Sequence, residues 1–125
     1  MGELRYAAQM PQTVAHSILK DFVKHHVDKE KLRKYGLMWN SFTRKPKCIP
    51  MEKIRDIPIP SEDRVFFYDE RSRIMYAAKM MDVVTYILEL EPWDQVDACV
   101  FNREMGWVLA ITHEDMLLFL KETER

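Results

Sequence analysis

Thr112, His113, Glu114 and Asp115 sit inside the apolar run "WVLAITHEDMLLFL", and no other stretch of the 125-residue chain looks more like chemistry. A histidine beside carboxylates is the pairing used in general acid–base catalysis and, with further ligands, in metal binding. The zinc-protease pattern needs a second histidine four residues after the first, and that position is Leu117. The same four residues also fit a helix start. Thr112 suits the N-cap, Asp115 is its reciprocal partner three residues on, and Glu114 places negative charge at the positive end of the helix. The spacing therefore predicts a final helix over residues 113–124. The cap leaves His113 unexplained, so His113 with Glu114 is the catalytic candidate. An enzyme built on it predicts that His113→Ala abolishes activity and leaves stability nearly unchanged.

Elsewhere the chemistry thins out. His25 and His26 adjoin near a predicted helix end, with Asp21 four residues before His25. Adjacent histidines on a helix point about 100° apart and do not share one ion, and cationic groups near a helix C-terminus are expected for the dipole alone. No metal site and no cofactor are expected. There is no Gly-x-Ser-x-Gly elbow and no glycine-rich phosphate loop, and 3 glycines leave little material for one. The acids Asp69, Glu70, Asp82, Glu89, Glu91, Asp94 and Asp97 fall mostly at turns and helix ends, where local reasons for an acid suffice.

The basic set Lys29, Lys31, Arg33, Lys34, Arg44, Lys45 and Lys47 flanks Tyr35, Trp39 and Phe42. Cations interleaved with aromatics can hold nucleic acid through phosphates and stacking, which makes residues 29–47 a nucleic-acid candidate. The overall charge is −1, however, and dedicated binders usually run basic. The favoured reading is a solvated helix face plus core aromatics, with an acidic protein partner for the patch as the alternative. Trp93 is read as core packing or, if exposed, as an interface residue.

These groups need a scaffold. At 47% hydrophobic and 31% charged the composition is globular, and 125 residues suit a single domain spanning 1–125, with a basic helical region over 11–36 and an α+β core over 37–125. Residues 11–27 place Ala15, Ile18, Leu19, Phe22, Val23 and His26 on one helical stripe. Asp28 and Gly36 bracket a short second helix over 29–35. Residues 44–63, broken by prolines, read mostly as loop. Residues 64–70 and 71–80 read as a hairpin, 80–90 as a helix with Pro92 beyond its end, and 95–102 and 107–112 as a second hairpin. The expected fold is thus α+β: N-terminal helices, then a ββαββα arrangement with a mostly antiparallel sheet.

Charge is uneven along the chain. Residues 1–60 carry a net +6 and residues 61–125 a net −7. Either the halves attract each other or each faces its own partner. The opening "MGELRYAAQMPQ" lacks a signal-peptide core, Tyr6 departs from the myristoylation pattern, and the apolar runs are far short of a membrane span. Cys48 and Cys99, without CxxC spacing, are expected as reduced thiols in the cytoplasm.

The segment "DACVFNREMGWVLAITHED", with its W-x-x-x-x-T-H-E ending, resembles the close of small uncharacterised bacterial proteins classed as domains of unknown function, and "LMWNSF" before a basic loop resembles their middle. The resemblance spans about residues 37–116. It implies a fold type and a bacterial or phage origin, and carries no catalytic residue across. By architecture alone, small α+β chains with uneven charge are also similar to immunity proteins. The leading expectation is a non-enzymatic protein that binds another protein by charge complementarity. The enzyme at His113 and nucleic-acid binding through 29–47 are the alternatives.

Overall fold

A computed structural model describes residues 7–91 and 93–121. The chain is mixed helix and sheet with an antiparallel sheet, in keeping with the α+β class. Its strands are β1 (Ala8–Gln9), β2 (Lys47–Pro50), β3 (Arg64–Asp69), β4 (Ile74–Lys79), β5 (Ala98–Phe101), β6 (Trp107–Ile111) and β7 (Met116–Lys121). They form one sheet in the order β1-β4-β3-β5-β6-β7-β2. The helices are α1 (Gln12–His26), α2 (Lys29–Tyr35) and α3 (Met80–Leu88), with 3-10 turns at Met38–Asn40 and Met51–Asp56.

Local sequence explains most helix boundaries. Asp28 caps α2 by accepting from the Glu30 and Lys31 backbone N–H groups at 2.9 and 3.4 Å. Gly36 ends it at φ 83°, a left-handed conformation that glycine adopts without strain. Asp82 accepts from the Lys79 N–H at 3.1 Å at the start of α3. Pro92 lies outside the described residues.

Strand alternation builds two cores. Val65, Phe67, Val100, Leu109 and Leu117 face α3 and the Met51–Asp56 turn. Phe66, Tyr68, Phe101, Val108 and Leu120 face α1 and the Met38–Asn40 turn, where Phe22 stacks on Phe101 at 4.4 Å. The sheet is covered on both faces, which is why β5 and β6 are buried at every position.

That double burial corrects the predicted final helix. Met116–Lys121 is β7, and residues 122–125 lie outside the described residues. "MLLFL" has good helix formers, but Leu117 and Phe119 serve one core while Leu118 and Leu120 serve the other. A helix would send that continuous run to one stripe only. The predicted loop over 44–63 likewise contains β2, an edge strand whose flanking prolines and lysine suit an edge and hide it from a propensity reading.

A charge asymmetry also runs along the strands, separate from the one between the halves of the sequence. One end of the sheet holds the β3–β4 turn, the start of β5, the β6–β7 turn and the end of β2. There Glu52, Asp69, Glu70, Asp97, Glu114 and Asp115 outnumber Arg71 and Arg73. The opposite end pairs Arg64 with Lys79 and Trp107 with Lys121, and brings in Lys47 and Arg103 against Glu62, Asp63 and Glu104. No helix among the described residues is long and apolar enough to cross a membrane.

Candidate functional site

The turn between β6 and β7 replaces the predicted cap. Thr112 N–H donates to the Met116 carbonyl at 3.1 Å, and Asp115 N–H donates to the Thr112 carbonyl at 3.2 Å. The Thr112 hydroxyl donates to the Met116 carbonyl at 3.0 Å and accepts from the Glu114 and Met116 N–H groups. Asp115 sits at φ 62°, as the residue after a type I turn does in a three-residue hairpin loop. Thr112 and Asp115 thus close a hairpin. Aspartate tolerates this left-handed conformation at some cost and glycine adopts it at none. Asp115→Gly is accordingly expected to raise stability by about 0.5–1 kcal/mol in urea unfolding. A helix start at this place would make the same substitution destabilising.

The turn carries His113 to Asp97, the residue immediately before β5, which pairs with β6. Asp97 is 2% exposed. One carboxylate oxygen, Oδ1, accepts from His113 Nδ1 at 2.8 Å, from the His113 backbone N–H at 3.2 Å and from Trp39 Nε1 at 2.9 Å. The other, Oδ2, accepts from Arg71 Nε at 2.8 Å. Burial by itself pushes the Asp97 carboxyl up, but the hydrogen bonds from His113, Arg71 and Trp39 outweigh it and hold the group below its ordinary value. An ionised carboxylate only accepts, so His113 carries a proton on Nδ1. That ring is 34% exposed and lies edge-on to Trp39 at 5.8 Å.

A second acid adjoins the first. The Glu70 N–H donates to the Asp97 carbonyl at 2.8 Å. The Glu70 carboxylate accepts from the Met38 N–H at 2.9 and 3.2 Å. Burial pushes Glu70 up to about 7, the Met38 N–H bonds oppose this, and the Asp97 charge adds to it. Two carboxylates thus fasten the 38–40 turn to the sheet, one through a backbone N–H and one through an indole.

The structure separates the residues singled out in sequence. His113 meets Asp97, while Glu114 is exposed at the tip of the turn. Because His113 is tied to a buried carboxylate by two hydrogen bonds, His113→Ala is no longer expected to leave stability unchanged. Lys29, Lys31, Arg33 and Lys34 line the exposed side of α2, where Arg33 pairs with Glu30 at 3.4 Å and Lys31 Nζ donates to the Phe42 carbonyl at 3.3 Å. Arg44, Lys45 and Lys47 are exposed on the approach to β2. Of the aromatics interleaved with them, Phe42 is buried, the Trp39 N–H is committed to Asp97, and the Tyr35 side chain lies outside the described residues. Trp93 is 74% exposed, whereas Trp107 is buried. Among the described residues no three His, Cys, Asp or Glu side chains are placed to hold a metal, and both cysteines are free thiols.

Asp97, Glu70, Arg71 and Trp39 were not singled out by sequence. A signal was present for two of them. On a period of two, Asp97 shares a face with Cys99 and Phe101, and Glu70 shares one with Phe66 and Tyr68, so both carboxylates lie on the core side of apolar strands. Searches against family models, curated proteins and solved structures gave no match.

Proposed function

We propose that the protein is a non-enzymatic binding protein of the cytoplasm, of the inhibitor or immunity kind, that holds another protein through charge-complementary contacts. The observation that carries this reading is the spatial charge split: an acidic and a basic end on one rigid sheet. Opposed patches of this kind steer encounter and fix orientation more than they add affinity. The Asp97 network fits the same reading, because it spends its acceptors on joining three segments and so keeps the acidic end in one shape.

The test is affinity capture with the wild type, an acidic-end reversal (Glu52→Lys with Glu91→Lys) and a basic-end reversal (Lys45→Glu with Lys47→Glu). All four positions are exposed, so folding is expected to survive. A partner retained by the wild type at low salt, released at high salt and lost in one reversal is the expected result. Retention indifferent to both reversals, or no retention at low salt, would sink the reading.

A second reading is general acid–base chemistry at His113, favoured by one observation, a buried Asp97 that accepts from Nδ1 while the side chain stays 34% exposed. Turnover of an ester or phosphoester probe that disappears in His113→Gln, at a temperature where the circular dichroism of the variant is unchanged, would move the assignment to this reading.

A further inference from the structure

Two clefts of about 300 Å³ each open at the acidic end, beside the C-terminal part of α3. They share Leu90, Asp94 and Val96, so they lie side by side as the two halves of one groove region. Its floor is apolar, with Tyr86 and Val96 each 9% exposed and Leu90 partly buried. Its rim is acidic: Asp69 in one cleft, Glu52, Glu91 and Asp115 in the other, and Asp94 in both. Among the described residues the single cation in the lining is Arg71, and its guanidinium is already held by Asp97 at 2.8 Å. Trp93, 74% exposed, stands directly before Asp94 in the chain. The carboxylates are felt inside the groove, since burial, then Asp69 and Asp94, push the Tyr86 phenol up to about 12.

Resting on the reading of the chain as a binding protein, we propose that this groove is its docking site and that the occupant is a basic, partly apolar peptide segment of the partner protein. Charge complementarity selects the occupant. Rim carboxylates with no free cation in the lining repel one another, and a ligand cation relieves them. Each cleft has room for one long side chain, and arginine suits it best. Its aliphatic stem covers Leu90 and Val96 while its head reaches the rim acids. An exposed tryptophan beside such a groove is the kind of anchor that carries binding energy at interfaces. A second copy of this chain would have to present its basic end here, a head-to-tail contact that closes only if the rotation between copies forms a ring and otherwise propagates. The acidic rim selects a basic segment of a different protein as the occupant, and a second copy is an outcome of the test.

The experiment uses the full chain and two labelled synthetic peptides, one alternating arginine and leucine and one with glutamate in place of arginine. Fluorescence anisotropy measures affinity, and amide shifts in a nitrogen–proton correlation spectrum map the contact. The arginine peptide is expected to bind, to weaken about tenfold between low and physiological salt, and to weaken by at least about tenfold in the Glu52→Lys, Glu91→Lys variant. Trp93→Ala is expected to weaken it as well, with wild-type shifts centred on Leu90, Asp94 and Val96. Equal binding of the glutamate peptide, or shifts centred elsewhere, would overturn the groove assignment. Concentration-dependent self-association at low salt that the lysine variant abolishes would overturn it too, giving the groove to a second copy. A partner retained by the wild type and lost only in the basic-end reversal would overturn the groove and leave the general binding reading standing. If neither peptide binds and no partner is retained, both fall.

Discussion

Replacing Asp97 with alanine is expected to lower folding stability by about 3 kcal/mol, seen as a drop in the urea midpoint at unchanged slope. The carboxylate is 2% exposed and accepts four hydrogen bonds from Trp39, Arg71 and His113. Hydrogen bonds to a charged acceptor contribute about 1.5–3 kcal/mol each at most, and removing the acceptor strands donors that are partly shielded from water. The loss stays below the sum because the donors differ in exposure. The Arg71 side chain is 49% exposed and can return to solvent, so Arg71→Ala is expected to cost under about 1 kcal/mol. The Trp39 indole and the His113 backbone N–H have less freedom to do so. Asp97→Asn keeps the shape but turns an amide donor toward donors, and is expected to fall between the two. Against a typical total of about 5–15 kcal/mol, the alanine variant is a severe change at a position with no role in the apolar core. A midpoint within error of the wild type would show that the three segments are held by apolar packing alone. The acid limb has a definite sign. The folded-state group is depressed by His113, Arg71 and Trp39 against the opposing effect of burial, so its contribution is complete above the ordinary aspartate value and disappears as pH falls through the folded one.

The elements that were legible are those whose period has one meaning. "RVFFYDE" and "IMYAAK" pair as β3 and β4 with Arg64 opposite Lys79, and "ACVF" and "WVLAI" pair as β5 and β6. "MLLFL" was not, because a continuous apolar run fits a helix stripe as well as a strand buried on both faces, and the helices covering both faces come from elsewhere in the chain. The [ST]-x-x-[DE] spacing misled for a related reason. A threonine hydroxyl that accepts from N–H groups two to four residues on serves a tight hairpin as readily as a helix start, and what decides between them is the ladder with β6. The site was legible in half. His113 stood out as unexplained, yet its partner lies 16 residues away in a strand start that looked like one more turn acid, and Trp39 lies 58 residues from Asp97. Such contacts exist only once the sheet order is set. The charge split was visible as a fact about halves. The asymmetry between the ends of the sheet is a different one, since Arg64, Lys79, Arg103 and Lys121 of the acidic half stand at the basic end, and only the strand register shows it.

Between about pH 4.5 and pH 7 the protein is expected to lose up to about 3 kcal/mol of stability through Glu70 alone, and Glu70→Gln is expected to remove that slope. Burial is the main cause of the raised value, with the Asp97 and Asp69 charges adding to it and the Met38 and Trp39 N–H groups opposing it. The sign follows from which state holds the proton. In this interval the unfolded chain has already ionised Glu70 and the folded chain has not, so the folded state binds more protons and stability falls as pH rises. Above pH 7 both states are ionised and the loss is complete. Asp97, 27 positions along and hydrogen-bonded through its own carbonyl to the Glu70 N–H, acts in the opposite sense on the acid side. The two together place the stability maximum where Asp97 is ionised and Glu70 still protonated, near pH 4–5. Histidines titrate in part of the same interval, so the readout is the difference between wild type and Glu70→Gln in urea unfolding across pH. The difference curve is expected to be flat below pH 4, to slope between pH 4.5 and 7 and to level off above, with the glutamine variant at least as stable as the wild type at pH 8. Superimposable profiles would mean that water reaches the Glu70 carboxylate and keeps it an ordinary glutamate. The turn at Met38–Asn40 would then be fastened by Trp39 on Asp97 alone.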